Sequence, residues 1–293
     1  MSRPPLTARR FMQVDVFAHR PYVGNPLAVV LDGEGLSTEQ MQAFADWTNL
    51  SETTFLLPAQ SSAADYRVRI FSPGRELPFA GHPTLGSCHA WLVAGGEPRG
   101  EWIVQECQAG CVPIRRSSGR LWFKAPPRVQ SGPLEQHELD RIAIGLGIPT
   151  QAILAHAWCD NGPKWRGVLL GSAEQVLAIE PDAAALAGLD LGVAGPRAKV
   201  GVAALASSDT GADLEVRAFF TAGNAVREDP VTGSLNAALA QWLIGAGALP
   251  ARYVARQGTR LGRDGRVHIE QTDPDTIWVG GDCADCIRGE VWI

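Results

Sequence analysis

The stretch 77–86 (LPFAGHPTLG) decides the fold, because the sequence pattern around it occurs again later in the chain. The strand-like segment 68–71 (VRIF) precedes it, and the similar segment 216–219 (VRAF) lies 148 residues further on. A turn-rich loop, a Pro-containing turn, Gly-Ser and an apolar run ending in Trp-Leu follow each segment. The Gly-Ser pairs at 86–87 and 233–234 are 147 residues apart. These separations differ by one residue, and their near equality predicts a duplicated unit.

The length of the chain also indicates two domains. It has 293 residues, more than one hydrophobic core usually organises. We place the boundary at the Pro-Pro pair 126–127, which gives an N-terminal domain 1–126 and a C-terminal domain 127–281. Strand-like segments outnumber helical ones and short turns join most of them. This pattern predicts α+β domains, each with a mostly antiparallel sheet wrapped on a central helix. The central helix of the second domain is predicted over 234–245.

Composition excludes several classes of protein. A hydrophobic content of 45% and a charged content of 19% are typical of a globular chain. The net charge is −5 and no basic cluster exceeds two residues, so neither nucleic acid nor an anionic membrane is an expected partner. No apolar run is long enough to span a membrane. We therefore expect a cytoplasmic protein, with a polar, disordered leader over residues 1–10.

Local patterns fix some element boundaries. Ser37 with Gln40 forms the capping box of a helix. The segment 78–83 contains two prolines and a glycine, so we expect an irregular loop there and a helix that opens at Thr84 or Gly86. Further predictions are a strand over 200–206 and a loop over 221–231.

Six cysteines are scattered along the chain, which argues against a disulfide scaffold. Cys283 and Cys286 have metal-ligand spacing, and Cys107 with Cys111 could supply a second pair of zinc ligands. The alternative is that both pairs simply flank turns, and the sequence favours this alternative.

Three polar residues lie on predicted loops next to helices. Glu52 follows a helix end, His82 lies between Gly81 and Pro83, and Asp229 precedes a Gly-Ser turn. Backbone N–H groups at the Gly-Ser pairs 86–87 and 233–234 could bind an anion. Two carboxylates and a histidine beside such donors could move a proton within a small acid. Each residue could also be ordinary: a solvated carboxylate, a helix-end charge or a loop cap. The residues alone indicate an enzyme or a binding protein with a cleft.

Four segments carry a family resemblance. They are 49–55 (NLSETTF), 76–86 (ELPFAGHPTLG), 228–234 (EDPVTGS), and an opening formed by 15–17 (DVF) with 24–26 (GNP). These segments resemble the signature blocks of the PhzF (phenazine biosynthesis) isomerase family and lie along the chain in the family's order. The resemblance covers nearly the whole chain.

The resemblance implies a fold like that of diaminopimelate epimerase. That fold has two pseudo-symmetric domains, each a rolled, barrel-like β-structure around a central helix, with the active site between them. Its last strand returns to the first domain, which here concerns residues 282–293. The resemblance also implies a homodimer that acts on a small carboxylic acid and needs neither cofactor nor metal.

The resemblance further assigns roles to residues of this chain. Glu52 is implied as the general acid/base of a proton shift, with His82 and Asp229 beside it, as in trans-2,3-dihydro-3-hydroxyanthranilate isomerase. We expect burial and a neighbouring carboxylate to raise the pKa of Glu52. The residues implied in substrate binding are Ser51, Gly81, Gly233 and Ser234.

Two other functions stay open. Related epimerases use two cysteines, but the corresponding places here are near Ala80 and Asp229, so an amino-acid epimerase or racemase is disfavoured. A small-ligand-binding protein without catalysis could also keep this fold. The retention of Glu52, His82 and Asp229 together favours the isomerase.

Overall fold

A computed structural model of the protein describes residues 6–197, 211–222 and 225–293. The chain divides into two compact units: unit 1 is the chain up to Phe123 together with Gly280–Ile293, and unit 2 is Lys124–Val279. The predicted boundary lay at residues 126–127. The predicted strand over 200–206 lies outside the described residues.

Unit 1 is a curved sheet with two helices. Its strands follow one another in space in the order β17–β1–β2–β3–β4–β6–β7–β8, and the short β5 pairs with the far end of β4. All neighbours are antiparallel except β2–β3 and β4–β6. The elements are β1 (Ala8–Val16), β2 (Asn25–Val30), α1 (Thr38–Thr48), β3 (Glu52–Leu57), β4 (Tyr66–Ser72), β5 (Arg75–Leu77), α2 (Gly81–Val93), β6 (Ile103–Cys107), β7 (Gly110–Ser117), β8 (Arg120–Lys124) and β17 (Cys283–Trp292).

Helix α2 is the centre of unit 1. Its residues 81–88 are all buried, as expected for a helix that is apolar on every side. It contacts strands β1, β2, β3, β6 and β17, so the sheet curves around it. A Cβ atom on Gly86 would lie 2.6 Å from Leu27 and 2.8 Å from Val16, which shows how closely the helix lies on the sheet.

The start of α2 corrects one prediction. The helix begins at Gly81 rather than at Thr84 or Gly86. Pro83 fits because the N–H groups of a first helical turn have no intrahelical acceptor, so proline loses nothing there. Residues 86–87 are therefore buried inside the helix and cannot supply the expected N–H donors. Gly81 and His82 occupy the helix start instead.

The strands of unit 2 are arranged in the same way as those of unit 1. The spatial order is β9–β10–β11–β12–β14–β15, with β13 also beside β12, and the parallel pairs are β10–β11 and β12–β14. Two 3₁₀ turns lie at Thr150–Ala152 and Thr259–Leu261. The elements are α3 (Gln136–Leu146), β9 (Ala155–Asp160), β10 (Lys164–Leu169), α4 (Ala173–Ala178), α5 (Ala183–Leu186), β11 (Asp190–Pro196), β12 (Leu214–Ala222), β13 (Ala225–Asp229), α6 (Gly233–Gly245), β14 (Arg252–Gln257), β15 (Gly265–Asp273) and β16 (Thr276–Gly281).

Strand pairing is the same in the two units. Strands β1 to β7 pair in the same pattern as β9 to β15, including the positions of both parallel pairs. Each central helix, α2 or α6, follows the short fifth strand of its unit. The predicted α+β class with two pseudo-symmetric halves is confirmed.

The repeat is less regular than predicted. Phe71 pairs with Glu76 in unit 1, whereas the matching Phe219 pairs with Glu228, so the second hairpin is four residues longer. The helices therefore start 152 residues apart, at Gly81 and Gly233. The predicted match of the glycines at 86 and 233 was wrong because it ignored this insertion.

The sequence did not predict several of the strands. Strands β11 and β14 were not predicted, and β13 lies in the expected 221–231 loop. Strand β11 contains Gly192 and Gly195, which resemble turn signals. Both are needed for packing, because a Cβ on them would lie 2.3 Å from Leu235 and 2.4 Å from the Ser172 carbonyl oxygen.

The predicted disordered leader is wrong for residues 8–10, which belong to β1. Arg10 there makes a two-pronged contact with Asp32, and β1 pairs with β17 along its full length. The capping box of α1 is confirmed: the Gln40 backbone N–H donates to the Ser37 hydroxyl, and the Ser37 backbone N–H donates to the Gln40 side-chain oxygen.

All six cysteines are free thiols. In the parts of the chain that the structure describes, no three His, Cys, Asp or Glu side chains cluster closely enough to hold a metal ion. Across the same residues, no helix has the length and apolar character needed to cross a membrane.

Candidate active site

Helix α1 and strand β3 place Glu52. The helix ends at Asn49, which adopts a left-handed conformation with φ of 54°, and three residues later β3 begins with Glu52. Ser51 lies half-buried in this short connection. Because β3 pairs in parallel with β2, Glu52 lies opposite Leu27 at the edge of the unit 1 core.

Glu52 and His82 form a close pair in unit 1. The Nε2 atom of His82 lies 3.3 Å from Oε2 of Glu52. The His82 side chain is 6% exposed and the Glu52 side chain 17%, so the carboxylate keeps some access while the ring is enclosed. Helix α2 brings His82 to this position as its second residue.

Gly81 allows α2 to start here. A Cβ atom at residue 81 would lie 2.6 Å from Cζ of Phe123, whose ring covers the first residue of the helix. Any side chain at this position would push the helix start, and His82 with it, away from β8. Gly81 is therefore required for the geometry of the Glu52–His82 pair.

His82 is a neutral imidazole at physiological pH. Burial lowers its pKa from 6.5 to about 3, because the enclosed ring cannot solvate a positive charge. A neutral imidazole can donate an N–H hydrogen bond to a carboxylate without adding a full positive charge to the site. A neutral ring at this distance leaves Glu52 able to accept a proton.

Asp229 belongs to a buried polar network in unit 2. It is the last residue of β13, and its Oδ2 accepts a hydrogen bond from the Thr232 hydroxyl. The Gln257 amide donates to the Asp229 carbonyl and to the Thr232 hydroxyl, both at 3.0 Å. The Gln257 oxygen accepts from the Thr232 N–H and from Asn236. Thr232, Asn236 and Gln257 are buried, so the network fixes Asp229 just before α6.

The start of α6 is held from a second side. The indole N–H of Trp165 donates to the Ser234 hydroxyl at 3.1 Å, and the Asn161 amide donates to the Ser234 carbonyl at 2.9 Å. No side chain caps the first turn of α6 or of α2. The early backbone N–H groups of both helices, beginning with those of Gly81 and Gly233, are therefore suited to bind an anion.

The predicted site residues thus form two groups. Unit 1 brings together Glu52 and His82, with Ser51 and Gly81 adjacent to them in the chain. Unit 2 holds Asp229, Gly233 and Ser234 at the start of α6.

Three residues that hold the second group were not predicted from the sequence: Thr232, Gln257 and Trp165. Thr232 could have been recognised from its position directly before the predicted helix, where Ser and Thr are common. Gln257 gave no signal because its strand was not predicted, and its partners are distant in the chain.

The strand pairing and the two central helices define the class of protein, one with the diaminopimelate epimerase-like α+β fold. Residues 14–289 match the family described as phenazine biosynthesis-like protein, PhzC-PhzF. The chain belongs to this family, and its named relatives identify it as an isomerase that acts on a small molecule.

Two relatives and one solved structure illustrate the similarity. "Antisense-enhancing sequence 1" of Schizosaccharomyces pombe is 34% identical, over 98% of this chain and 100% of its own. A trans-2,3-dihydro-3-hydroxyanthranilate isomerase of Pseudomonas aeruginosa is 34% identical, over 88% and 89%. A crystal structure of a PhzF-family protein from Bacillus anthracis has a TM-score of 0.80 at 21% identity, covering 98% and 100% of the two chains.

Proposed function

We propose that the protein is a cofactor-independent isomerase that moves a proton within a small cyclic or amino carboxylic acid, with Glu52 as the acid/base. The observation that carries this proposal is the Glu52–His82 pair, with 3.3 Å between Nε2 and Oε2. A carboxylate beside an enclosed neutral imidazole, still partly reachable, suits proton transfer to and from carbon.

The proposed reaction needs one proton carrier. Glu52 as a carboxylate takes a proton from one carbon of the substrate, and the resulting acid returns a proton to another carbon. Where the first carbon carries a hydroxyl group, this shift leaves an enol, which becomes a ketone when its O–H proton is released and a carbon takes up a proton. The enzyme ends each cycle as it began. No electrons leave the substrate, so the step requires no redox cofactor. His82 would hold the carboxylate through its N–H.

The group at the start of α6 is proposed to bind polar groups of the substrate. Asp229 is fixed by Thr232 and Gln257, and the N–H groups of Gly233 and Ser234 are suited to a carboxylate. Gly81 and Ser51 are proposed to contribute in the same way in unit 1. The assembly implied by the family resemblance, a homodimer, is part of the proposal and is tested by the mass of the protein in solution.

The test is proton exchange in D₂O with trans-2,3-dihydro-3-hydroxyanthranilate, followed by mass and absorbance. We expect the wild type to consume the compound and incorporate deuterium. The Glu52→Gln variant should lose about 10²- to 10⁴-fold in rate, the usual contribution of a positioned acid/base. Activity should persist after dialysis against a chelator.

Asp190 offers a matched control. It is the first residue of β11 and pairs beside Trp165 just as Glu52 pairs beside Leu27 in the first unit. Its Oδ1 accepts from the Thr221 N–H, a bond that an amide oxygen can keep. Asp190→Asn should therefore retain turnover. If Glu52→Gln turned over as fast as wild type, Glu52 would not be the base. If the wild type showed no exchange, this substrate would be excluded.

A second candidate is a ligand-binding protein without catalysis. It is favoured by one relative, 34% identical over its whole length, whose name describes no enzymatic activity. Under this alternative, the wild type and Glu52→Gln would bind a ligand equally well and neither would turn over any substrate.

An amino-acid epimerase or racemase is less well supported. The residues before the two helices are Ala80 and Thr232 rather than cysteines. Burial raises the pKa of the Cys88 and Cys159 thiols to about 12, so neither is a ready base. Deuterium incorporation at the α-carbon of an amino acid would reveal this activity.

A further inference from the structure

Strand β17 has one unpaired edge among the described residues. It runs for ten residues, Cys283–Trp292, and β1 pairs with one side of it from end to end. Elsewhere in the described chain no strand pairs with its other side. A long strand with an unpaired row of N–H and C=O groups is a ready template for another strand.

This edge lacks two of the features that usually protect one. It contains no proline and no lysine, and its residues 287–290 are all exposed. Ile287 is 50% exposed and Trp292 66%, so apolar surface flanks the open backbone. The single irregularity lies opposite Gln13 and Val14, which leaves the last six residues regular. Monomeric proteins usually block such edges, which favours a partner strand here.

The backbone bonds show which residues direct their polar groups outwards. Ile293 and Thr7 exchange both of their hydrogen bonds, at 3.0 and 3.1 Å. In an antiparallel pair such exchanges occur at every second residue. Gly289 and Val291 therefore bond to β1, whereas Arg288 and Glu290 present their N–H and C=O groups to the open side.

We propose that a second copy of this chain binds this edge, by antiparallel pairing of β17 with β17 about a two-fold axis at Gly289. Arg288 then lies directly opposite Glu290 of the partner subunit, and the symmetry repeats the pair. These are the residues whose backbone groups face outwards, so backbone bonds and charge pairs arise together. On the other face Ile287 lies opposite Val291 of the partner subunit.

Neighbouring registers are worse. An axis at Arg288 would place two arginines directly opposite one another, and an axis at Glu290 would do the same with two glutamates. Directly opposed like charges destabilise a strand pair. An axis at Gly289 lies between these two positions and places each arginine opposite a glutamate. The strand is thus self-complementary, as an isologous two-fold contact requires.

An aromatic surface adjoins the proposed axis. Gly289 pairs with Phe11 of β1, and a Cβ atom at residue 289 would meet nothing within 4 Å. Phe11 packs edge-on against Phe44 of α1, which in turn contacts Trp47 with 6.2 Å between ring centroids. Trp47 is 80% exposed. A two-fold axis beside Gly289 would bring two such surfaces towards each other, and their burial would add to the strand pairing.

This inference rests on the homodimer of the proposed function and names its interface. The experiment is analytical ultracentrifugation over a range of concentrations, so that enzymatic activity plays no part. We expect wild type to be a dimer. Glu290→Arg replaces two attractive pairs with two repulsive ones, and we expect it to raise the dimer Kd about tenfold or more. Arg288→Glu should act in the same direction.

The double variant Arg288→Glu with Glu290→Arg decides the register. It restores opposite charges across the axis, so the dimer should return. Arg288 also contacts Asp285 of its own chain, which makes this rescue more informative than either single change. Arg252→Glu is the matched control: Arg252 is 78% exposed and forms a cross-strand pair in unit 2. It should leave the dimer intact.

Three outcomes would overturn the proposal. A monomeric wild type would remove the dimer itself. A dimer that both single variants leave intact would show that the chain pairs through another surface. Failure of the double variant to restore dimers, with thermal unfolding like that of wild type, would overturn the register about Gly289.

Discussion

The two units contain the same arginine–glutamate contact, but the contact is more buried in unit 2 than in unit 1. In unit 1 Arg69 makes a two-pronged ion pair with Glu76 across β4 and β5, and lies over the Phe71 ring. In unit 2 Arg217 makes the same pair with Glu228 and lies over Phe219. The duplication therefore extends from strand pairing to individual side chains.

Burial separates the two contacts. The side chains of Arg69 and Glu76 are 23% and 27% exposed, whereas those of Arg217 and Glu228 are 3% and 10% exposed. Arg217 also donates to the carbonyl oxygens of Val176 and Ile179 at the end of α4. The same pair is half-buried in one unit and almost fully buried in the other.

The helix starts differ in chemistry as well. The second residue of α2 is His82, which faces Glu52, and the second residue of α6 is Ser234, which is held by Trp165. Each helix begins four residues after the end of its fifth strand. A shared scaffold thus places a glutamate–histidine pair in one unit and a fixed carboxylate, Asp229, in the other. The two units therefore have the same fold but different chemical groups at equivalent positions.

The largest expected effect concerns the two arginines. Arg217→Met should lower the free energy of unfolding by about 3–5 kcal/mol, because it leaves the Glu228 charge buried and unpaired. Arg69→Met should cost less than about 1 kcal/mol, because solvent reaches Glu76. Denaturation in urea measures both. Equal losses would show that depth does not distinguish the two contacts.

Two buried glutamines test the polar networks. Gln257 holds Thr232 and Asp229, whereas Gln105 links Tyr66 to Thr84 in unit 1. Substitution of either by leucine should cost about 1–3 kcal/mol of stability, because buried partners lose hydrogen bonds.

The turnover rates of the same two variants should differ. Gln257→Leu should slow turnover of the proposed substrate, because Asp229 loses its support, while Gln105→Leu should not. Initial rates on protein shown to be folded by circular dichroism provide the measurement. A rate loss confined to Gln105→Leu would contradict the assigned role of the unit 2 network.

His82 should make stability depend on pH, whereas Ser234 at the equivalent helix position cannot. The folded-state pKa of His82 is lowered to about 3 from 6.5, so the unfolded chain binds more protons between these values. Stability is then fully present above pH 6.5 and falls as the pH drops towards 3. The loss by pH 5 should approach about 2 kcal/mol, less whatever attraction an ionised Glu52 offers to the imidazolium.

The measurement is unfolding by denaturant at several pH values for wild type and His82→Gln. The variant should lose this part of the acid sensitivity, because glutamine does not titrate. Identical slopes of stability against pH for the two proteins would show that His82 is not a buried neutral ring.

Two glycines at helix ends should give effects of opposite sign on stability. Gly81→Ala should destabilise by about 1–3 kcal/mol, because the new methyl would overlap the Phe123 ring. Gly245 is the exposed last residue of α6, with open space around a Cβ, so Gly245→Ala should stabilise by up to about 1 kcal/mol. Thermal unfolding compares them, and a stabilising Gly81→Ala would show that the helix start can move.

Much of the fold was predictable because its signals are local. Ser37 and Gln40 fix the start of α1 through bonds within four residues of chain. The apolar run of α6 predicts a buried helix wherever it packs. Strand β11 was missed because Gly192 serves a contact with Leu235, a residue more than forty positions away. Glycine that makes room for a distant side chain looks the same in sequence as glycine that makes a turn.

The candidate site shows the same division. Resemblance to family motifs identified Glu52, His82 and Asp229 as candidates, and their roles stay predictions until Glu52→Gln is measured. It could not show that Gln257 fixes Asp229, since the two residues meet only after β14 and β13 have each paired with β12.

The sequence by itself determined the duplicated α+β pattern, the two central helices and the residues that mark the family, because periodicity, caps and short motifs act over a few neighbouring positions. Only the tertiary structure decided that α2 begins at Gly81, that His82 is buried against Glu52 and that one arginine–glutamate pair is buried while the other is half-buried. Burial depends on what packs around a residue, and those neighbours come from distant parts of the chain.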